Sequence, residues 1–449
     1  MEAIISAVLG DLVSRSISFV IDNYYQREKS MEESLQRLCS VLLRIQAIVE
    51  EAEGRHITNK GMLQQLQILR EAMYKGCYLL DTLGYRMLLQ KMTDDQARHH
   101  PFALTKLSPA KHFCFPTRRI NMALQSDGLK EVQKMLESLH DIINGMAEFV
   151  AFLKSYSLIT RQPYIKYLYL EKCMFGRQAE MEKIISFLLQ PEPPGVESLQ
   201  VLPIIGPPRV GKSTLVEHVC YDERLADDFV LDKRQRRKLH SSRSQMPPGS
   251  KIIVTSRSES ILRLGTSEPI RVKFLSQEAY WYFFKVMAFG STNPDEHPEL
   301  ASIAMEISAD MDGSFLSANI VSRMLRANFH AQFWRKILEL QRDYIQRHLL
   351  LFGEHPHTLV MKNQPIYLWS MSDVSMCIKV HSCEKLYHQN EVPKIKLHEV
   401  LTGTAEAQGK FEIVVWRSCI PPYHSFMMSS EAPCHMMAKN KRPYSMCRD

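Results

Sequence analysis

No stretch of this 449-residue sequence is long and apolar enough to span a bilayer. The opening run, MEAIISAVLGDLVSRSISFVIDNYY, has no basic leader region. It starts with Glu2 and is broken by Asp11 and Arg15, so it reads as neither a secretory leader nor a span. Paired cysteines are missing as well. Ten cysteines are scattered singly without one C-x-x-C, which reads as reduced thiols of a cytoplasmic protein rather than a disulfide framework. The tightest group of metal-type residues is Cys377, His381, Cys383 and His388. Its spacing matches no standard zinc pattern, and no metal is assigned to it. A large excess of one charge is lacking: 56 Lys and Arg stand against 49 Asp and Glu, a net of +7, too mild to argue for nucleic acid. No periodic L-x-x-L-x-L pattern occurs, so leucine-rich repeats are not expected.

What is present is ordinary in bulk. Hydrophobic residues make up 45% and charged residues 23%, as in soluble globular proteins, and the length suits two to four domains. The first third is helical by its periodicity. Leu35, Leu38, Leu42, Ile45 and Val49 recur at spacings of three and four. Leu66, Leu69, Met73, Leu80 and Met87 form a second stripe. Leu129, Val132, Leu136, Leu139, Ile143, Met146, Val150 and Leu153 form a heptad seam. An amphipathic stretch over residues 3–22, with Ile5, Val8, Leu9, Leu12, Ile17 and Val20 on one face, supplies a fourth helix. Four short helices favour an intramolecular bundle over a long intermolecular coiled coil. Residues 92–124 read as the loop between the third and fourth helices.

PEPPGVES (191–198) punctuates the chain, and the grammar then changes. LQVLPIIG and KIIVTSR are short apolar runs of the kind found in buried parallel strands. Residues 275–290, 297–311 and 332–352 read as helices. KIKLHEVL and GKFEIVVWRSCI look like strands or short mixed elements, and the tail from PPYHSFMMSS onward reads as loose. The expected organisation is a helical domain over 1–158, a phosphate-loop domain over 170–290, a helical region over 291–352 and a mixed region over 353–449.

Between the first strand and its helix stands Gly206-Pro-Pro-Arg-Val-Gly211-Lys212-Ser213, a G-x-x-x-x-G-K-S phosphate loop. Its glycines let backbone N–H groups turn toward phosphates, Lys212 supplies a cation for the β- and γ-phosphates, and the Ser213 hydroxyl takes a Mg²⁺ position. Thr214 and the helix that follows add a positive helix end. Pro207 and Pro208 each lack an N–H, which Arg209 partly offsets by its charge. Hydrolysis needs a second strand ending in an acid. Between Leu215 and Pro248 only Phe229-Val230-Leu231-Asp232 offers one, directly before the basic run KRQRRK (233–238), which reads as an exposed solvated loop. The fold class is thus α plus α/β: an N-terminal four-helix bundle, a shortened P-loop NTPase-like parallel-sheet domain and a mostly helical C-terminal region.

Taken in order, these segments carry a resemblance. Over residues 1 to about 340 the chain resembles plant intracellular immune receptors of the coiled-coil, NB-ARC type, a grass-type branch in particular. CMFGRQAEMEKIISFLL is similar to the segment before the phosphate loop, which implies that Phe175, Gly176 and Arg177 sit against adenine and ribose. In the loop itself the resemblance implies that Gly206, Arg209, Val210, Gly211, Lys212, Ser213 and Thr214 hold the nucleotide. GSKIIVTSR is similar to the strand whose last residue, here Arg257, senses phosphate. IRVKFLSQEAYWYFFKVMAFG resembles the helical segment after it. The chain also departs from the pattern. The strand ending in paired acids is missing between Phe229 and Gly249, Gly313-Ser314-Phe315-Leu316 replaces the Gly-Leu-Pro-Leu turn that contacts the base, and no Met-His-Asp triplet is recognisable. YKGCYLLD (74–81) keeps only Asp81 of an acidic cluster.

The resemblance implies a truncated, repeat-lacking, ADP- or ATP-binding protein of plant defence, a switch or adaptor rather than an efficient ATPase. Its partners are other immune receptors or signalling proteins met through the helical bundle, with self-association and membrane contact left open and no nucleic acid expected. The rival reading is a helical-bundle interaction protein, a decoy or partner of full-length receptors, whose nucleotide site is silent. One geometric test bears on the choice: whether Lys251–Thr255 runs parallel beside Leu202–Ile205, which brings Arg257 to the phosphate loop.

Overall fold

The computed structural model describes residues 29–55, 57–99, 119–157, 175–190, 199–220, 222–225, 250–362, 364–369, 376–384, 394–402, 411–417, 425–430 and 434–435. The stretch 3–22, the punctuation at 191–198, Asp232 and the basic run 233–238 lie outside the described residues. The chain divides into two compact units, Met1–Ala309 with Gly313–Phe315, and Asp310–Asp312 with Leu316–Asp449.

In the first unit, α1 (Lys29–Glu53) and α2 (Lys60–His99) pack face to face. All five residues of the first stripe are buried, Leu38, Leu42 and Ile45 completely. Asn59 starts α2 by accepting from the Gly61 N–H at 2.8 Å and the Met62 N–H at 3.2 Å. The helices meet closely at Gly76, where a Cβ would stand 2.6 Å from Leu42 Cδ2. Cys39 and Cys77 are free and buried at this joint. Burial pushes the Cys39 thiol up to about 12 and the Cys77 thiol further, so both are inert.

The loop expected over 92–124 is shorter than its sequence suggested. Helix α2 runs to His99 and α3 (Arg119–Asn144) begins at Arg119. KMTDDQARH contains several good helix formers, and extending an existing helix is cheap compared with starting one. The heptad seam is likewise narrower than expected. Val132, Leu139, Met146 and Leu153 are buried, whereas Leu129, Leu136 and Ile143 are half-buried and Val150 is exposed. The helix is interrupted at Gly145 and Met146 before α4 (Ala147–Leu153), so a single row faces the core.

The α/β part of this unit has a three-stranded sheet in the order β2-β1-β3. Strand β1 (Gln200–Ile205) pairs in parallel with β2 (Lys251–Ser256), from Gln200 opposite Lys251 to Ile205 opposite Ser256. It also pairs in parallel with β3 (Ile270–Arg271). Helices α5 (Gln178–Leu189) and α6 (Lys212–Cys220) cover the sheet through Ile184, Ile185, Leu215 and Val219, which are fully or almost fully buried with Leu202 and Ile204. Lys251 donates to the carbonyls of Phe187 and Leu188 at 3.0 and 2.7 Å, a cation placed on the negative end of α5.

Helix α7 (Gln277–Phe289) is buried at every position from Ala279 to Phe289. Its apolar residues surround the whole helix, the pattern of an element enclosed on all sides. Ser276 caps its start by accepting from the Ala279 N–H at 3.3 Å. Helix α8 (Pro298–Ala309) packs on α7 and α2.

The second unit holds most of α9 (Phe315–Ala327), then α10 (Ala331–Phe352) and α11 (Pro356–Met361). Helix α10 stops at Gly353, which takes the left-handed conformation at φ 68°. Beyond it the expectation of a mostly helical C-terminal region is corrected. The strands β4 (Ile366–Trp369), β5 (Met376–Glu384), β6 (Lys394–Lys396), β7 (Phe411–Arg417) and β8 (Ser425–Ser430) form a sheet in the order β4-β5-β8-β7-β6, and β9 (Cys434–His435) pairs with β5. Only β6 and β7 run parallel. One short helix, α12 (Leu397–Thr402), interrupts it.

SFMMSS, expected to be loose, is a central strand of that sheet. Packing against distant elements explains the outcome. Phe411 and Ile413 of β7, Val380 of β5 and Met428 of β8 point into one core with Leu359 and Val360 of α11. Among the described residues no helix is long and apolar enough to cross a membrane.

Candidate nucleotide site

Strand β1 is buried at five of its six positions and leads straight into the phosphate loop. At Gly206 the backbone N–H donates to the Ser256 carbonyl at 3.3 Å, while Val272 N–H donates to the Ile205 carbonyl at 2.8 Å. The loop's first residue is thereby wedged between two strands. A Cβ at Gly206 would stand 2.2 Å from the Val272 carbonyl oxygen, so no other residue fits without moving backbone.

The loop turns through two left-handed residues, Arg209 at φ 63° and Gly211 at φ 88°. Val210, 1% exposed, pins the turn into the sheet core. Helix α6 then starts, and the Leu215 N–H donates to the Gly211 carbonyl at 2.8 Å. The Lys212 ammonium lies inside the loop, donating to the carbonyls of Gly206 at 2.8 Å and Pro207 at 2.6 Å. A helix N-terminus, a glycine turn and a lysine thus meet at one point, an arrangement suited to phosphate oxygens. Ser213 is exposed on the first turn of α6, with Thr214 half-buried beside it. Arg257 follows β2 directly and is exposed. Because Ile205 stands opposite Ser256, Gly206 and Arg257 leave the sheet at the same edge. The parallel pairing posed as a test of the sequence reading is therefore present.

Phe175, Gly176 and Arg177 have a different environment. Phe175 is 3% exposed, its ring 5.5 Å from that of Tyr74 and 6.0 Å from that of Phe283. Gly176 is left-handed at φ 67°. The Arg177 guanidinium is buried, donating to the Lys273 carbonyl and pairing with Glu180 at 3.2 Å. Burial lowers its pKa from the ordinary arginine range against the opposing pull of Glu180. These side chains therefore join the interior around α7.

Two further groups escaped the sequence reading. One is Phe315, whose ring lies against Gly211, although its segment was visible as a departure from the expected turn. The other is the set of partners of Asp81. Its Oδ2 accepts from Trp281 Nε1 at 2.9 Å, Lys285 Nζ at 3.1 Å and Tyr282 Oη at 3.2 Å. Asp81 and Lys285 are almost wholly buried, and burial together with the Asp81 charge holds the Tyr282 phenol well above its usual pKa. No local pattern could reveal this cluster, whose members lie about two hundred residues apart. Of the metal-type group, His381 is exposed, His388 lies outside the described residues and so do the side chains of Cys377 and Cys383.

The profile of the Rx N-terminal domain matches residues 7–114. Disease resistance protein RGA2 of Solanum bulbocastanum is 22% identical over 368 residues, covering 68% of this chain and 36% of the relative. Over these spans the chain is similar to plant disease resistance proteins. It is also 23% identical to the putative disease resistance protein RGA1 of the same plant, over 75% of its own length and 38% of the relative's. It is 24% identical to the putative disease resistance RPP13-like protein 1 of Arabidopsis thaliana over 230 residues. The match thus spans little more than a third of each Solanum relative.

Proposed function

We propose that this chain is an ADP- or ATP-binding protein of plant defence signalling, a nucleotide-held switch or adaptor rather than an efficient ATPase. One observation carries the reading: the parallel β1–β2 pair delivers Gly206, the Lys212 loop and Arg257 to one edge of the sheet. Backbone N–H groups of the loop, Lys212 and the first turn of α6 would hold phosphates, and Ser213 would contribute its hydroxyl to Mg²⁺. Arg257 would meet the terminal phosphate. Relatives named as disease resistance proteins support the defence context. The helical bundle would engage other immune receptors or signalling proteins, or a second copy.

A second reading, a helical interaction protein with a silent nucleotide site, is favoured by a specific observation. Phe175 and Arg177 are engaged in the interior, and Pro207 and Pro208 bring no N–H to the loop. Equilibrium titration with ADP and Mg²⁺ separates the two. Saturable binding that Lys212→Ala weakens at least about tenfold supports the nucleotide-held reading. Absence of binding to the folded protein leaves the interaction-protein reading.

A further inference from the structure

Strand β4 is the end strand of the C-terminal sheet, paired antiparallel with β5 from Ile366 opposite Val380 to Trp369 opposite Cys377. An end strand leaves half of its backbone groups without a neighbouring strand. In β4 one of these groups is met by a side chain. The Tyr367 N–H donates to His348 Nε2 at 3.2 Å, while the other ring nitrogen, Nδ1, donates to the Tyr344 carbonyl at 2.8 Å. Both bonds hold only for the neutral ring that carries its proton on Nδ1.

The ring is enclosed as well as bonded. Tyr344, His348 and Phe352 recur at every fourth position and line one face of α10. Tyr367 and Trp369 alternate onto one face of β4. His348 is fully buried, 4.5 Å from the Tyr344 ring and 5.0 Å from the Trp369 ring, which it meets edge to face at 82°. Phe352 stacks on Tyr367 at 4.8 Å. Charged and titratable groups stand around this cage. On α10, Arg347 lies over Trp369 at 5.5 Å and holds Asp343 at 2.7 Å, and Tyr344 brings its phenol. On the strand side are the Tyr367 phenol and, opposite it in β5, Lys379. Ahead of α11 stands His355, paired with Asp312 at 3.2 Å. Two of these groups are cations, His355 becomes a third in acid, and both carboxylates already have partners.

A proton added to His348 must go to Nε2, the nitrogen that carries the lone pair. It removes the acceptor of the Tyr367 N–H and sets two donors against each other among hydrocarbon. A buried cation and a buried donor without an acceptor are both costly, and separating α10 from β4 gives both to water. We propose that His348 is a proton-operated latch: neutral, it joins α10 to the outer edge of β4; charged, it lets the two part while the rest of the sheet stays paired. Burial acts in the same sense, holding the ring below its ordinary pKa against the raising effect of the Tyr344 bond. Parting exposes a strand edge and the row of Phe352, Tyr367 and Trp369, which is half-buried while the latch is closed. The latch lies in the second unit and is independent of the nucleotide reading.

The test is hydrogen–deuterium exchange of the full chain, read in peptides over β4 and over β7, with each rate divided by its intrinsic rate at the same pH. Between about pH 7.5 and about pH 5 the β4 peptide is expected to lose protection at one amide by at least about tenfold, while β7 keeps its protection. His348→Gln, whose amide oxygen can accept from Tyr367 without titrating, is expected to show no such loss. Level protection of β4 in the wild type over that range overturns the proposal, as does a loss that persists in the variant. A loss in β7 that runs parallel to that in β4 also overturns it, because the sheet then opens as a whole. The two wild-type peptides decide the matter even if the variant does not fold.

Discussion

Gly206 has a hydrogen where any other residue would set a carbon 2.2 Å from the Val272 carbonyl oxygen. Gly206→Ala must push β3 away from β1. It is expected to destabilise the first unit by about 1–3 kcal/mol, the usual cost of overpacking, and to weaken phosphate binding with it. Thermal unfolding monitored beside binding checks this, and an unchanged midpoint would show that the loop yields easily. In the second unit His348 is fully buried on α10. Its Nδ1–H donates to the Tyr344 carbonyl at 2.8 Å, which leaves Nε2 to accept the Tyr367 N–H at 3.2 Å. Burial lowers its pKa, with nearby His355 acting in the same direction.

The folded protein therefore binds this proton less readily than the unfolded chain. The stability His348 gives is present above an unfolded pKa of about 6.5 and is lost as pH falls from there through the folded value. His348→Gln, which does not titrate, is expected to flatten that part of the stability–pH curve. A slope below pH 6.5 that is the same in the variant would remove His348 from the account.

Between elements, the joint of α2 and α7 holds a buried polar cluster, with Asp81 accepting from three donors and Lys285 completely buried. Breaking such a pair strands a charge in the interior. Asp81→Ala is expected to cost about 3–5 kcal/mol, and Asp81→Leu combined with Lys285→Met to recover most of it. The denaturant midpoints of the single and double variants measure this coupling. Midpoints that add independently would mean that the pair does not join the two helices. A joint this costly to break ties the helical bundle to the part of the unit that carries the phosphate loop. Any switch in this chain must then work with the joint closed or supply several kcal/mol to open it.

At the scale of the whole chain, the sequence was most informative where structure is local. Leu38, Leu42 and Ile45 announced their helix through spacing, and the glycine-lysine loop announced its turn and the helix after it. The parallel β1–β2 pair followed from two short apolar runs. Long-range partners were not legible. Nothing near Asp81 points to Trp281 or Lys285, and nothing near Gly211 points to Phe315. The central strand SFMMSS of the C-terminal sheet was illegible for another reason, whereas KIKLHEVL and GKFEIVVWRSCI already read as strands or short mixed elements. It is short, has two adjacent buried methionines and pairs out of chain order, so neither periodicity nor turn signals mark it.

The central claim, that this chain is held by a nucleotide on its phosphate loop, is tested most directly by denaturing the freshly purified protein and identifying what it releases by chromatography. The account predicts ADP or ATP in near-stoichiometric amount from the wild type and little from Lys212→Ala. Folded wild-type protein that releases no nucleotide and takes none up with Mg²⁺ would contradict it and leave the helical bundle as the working part.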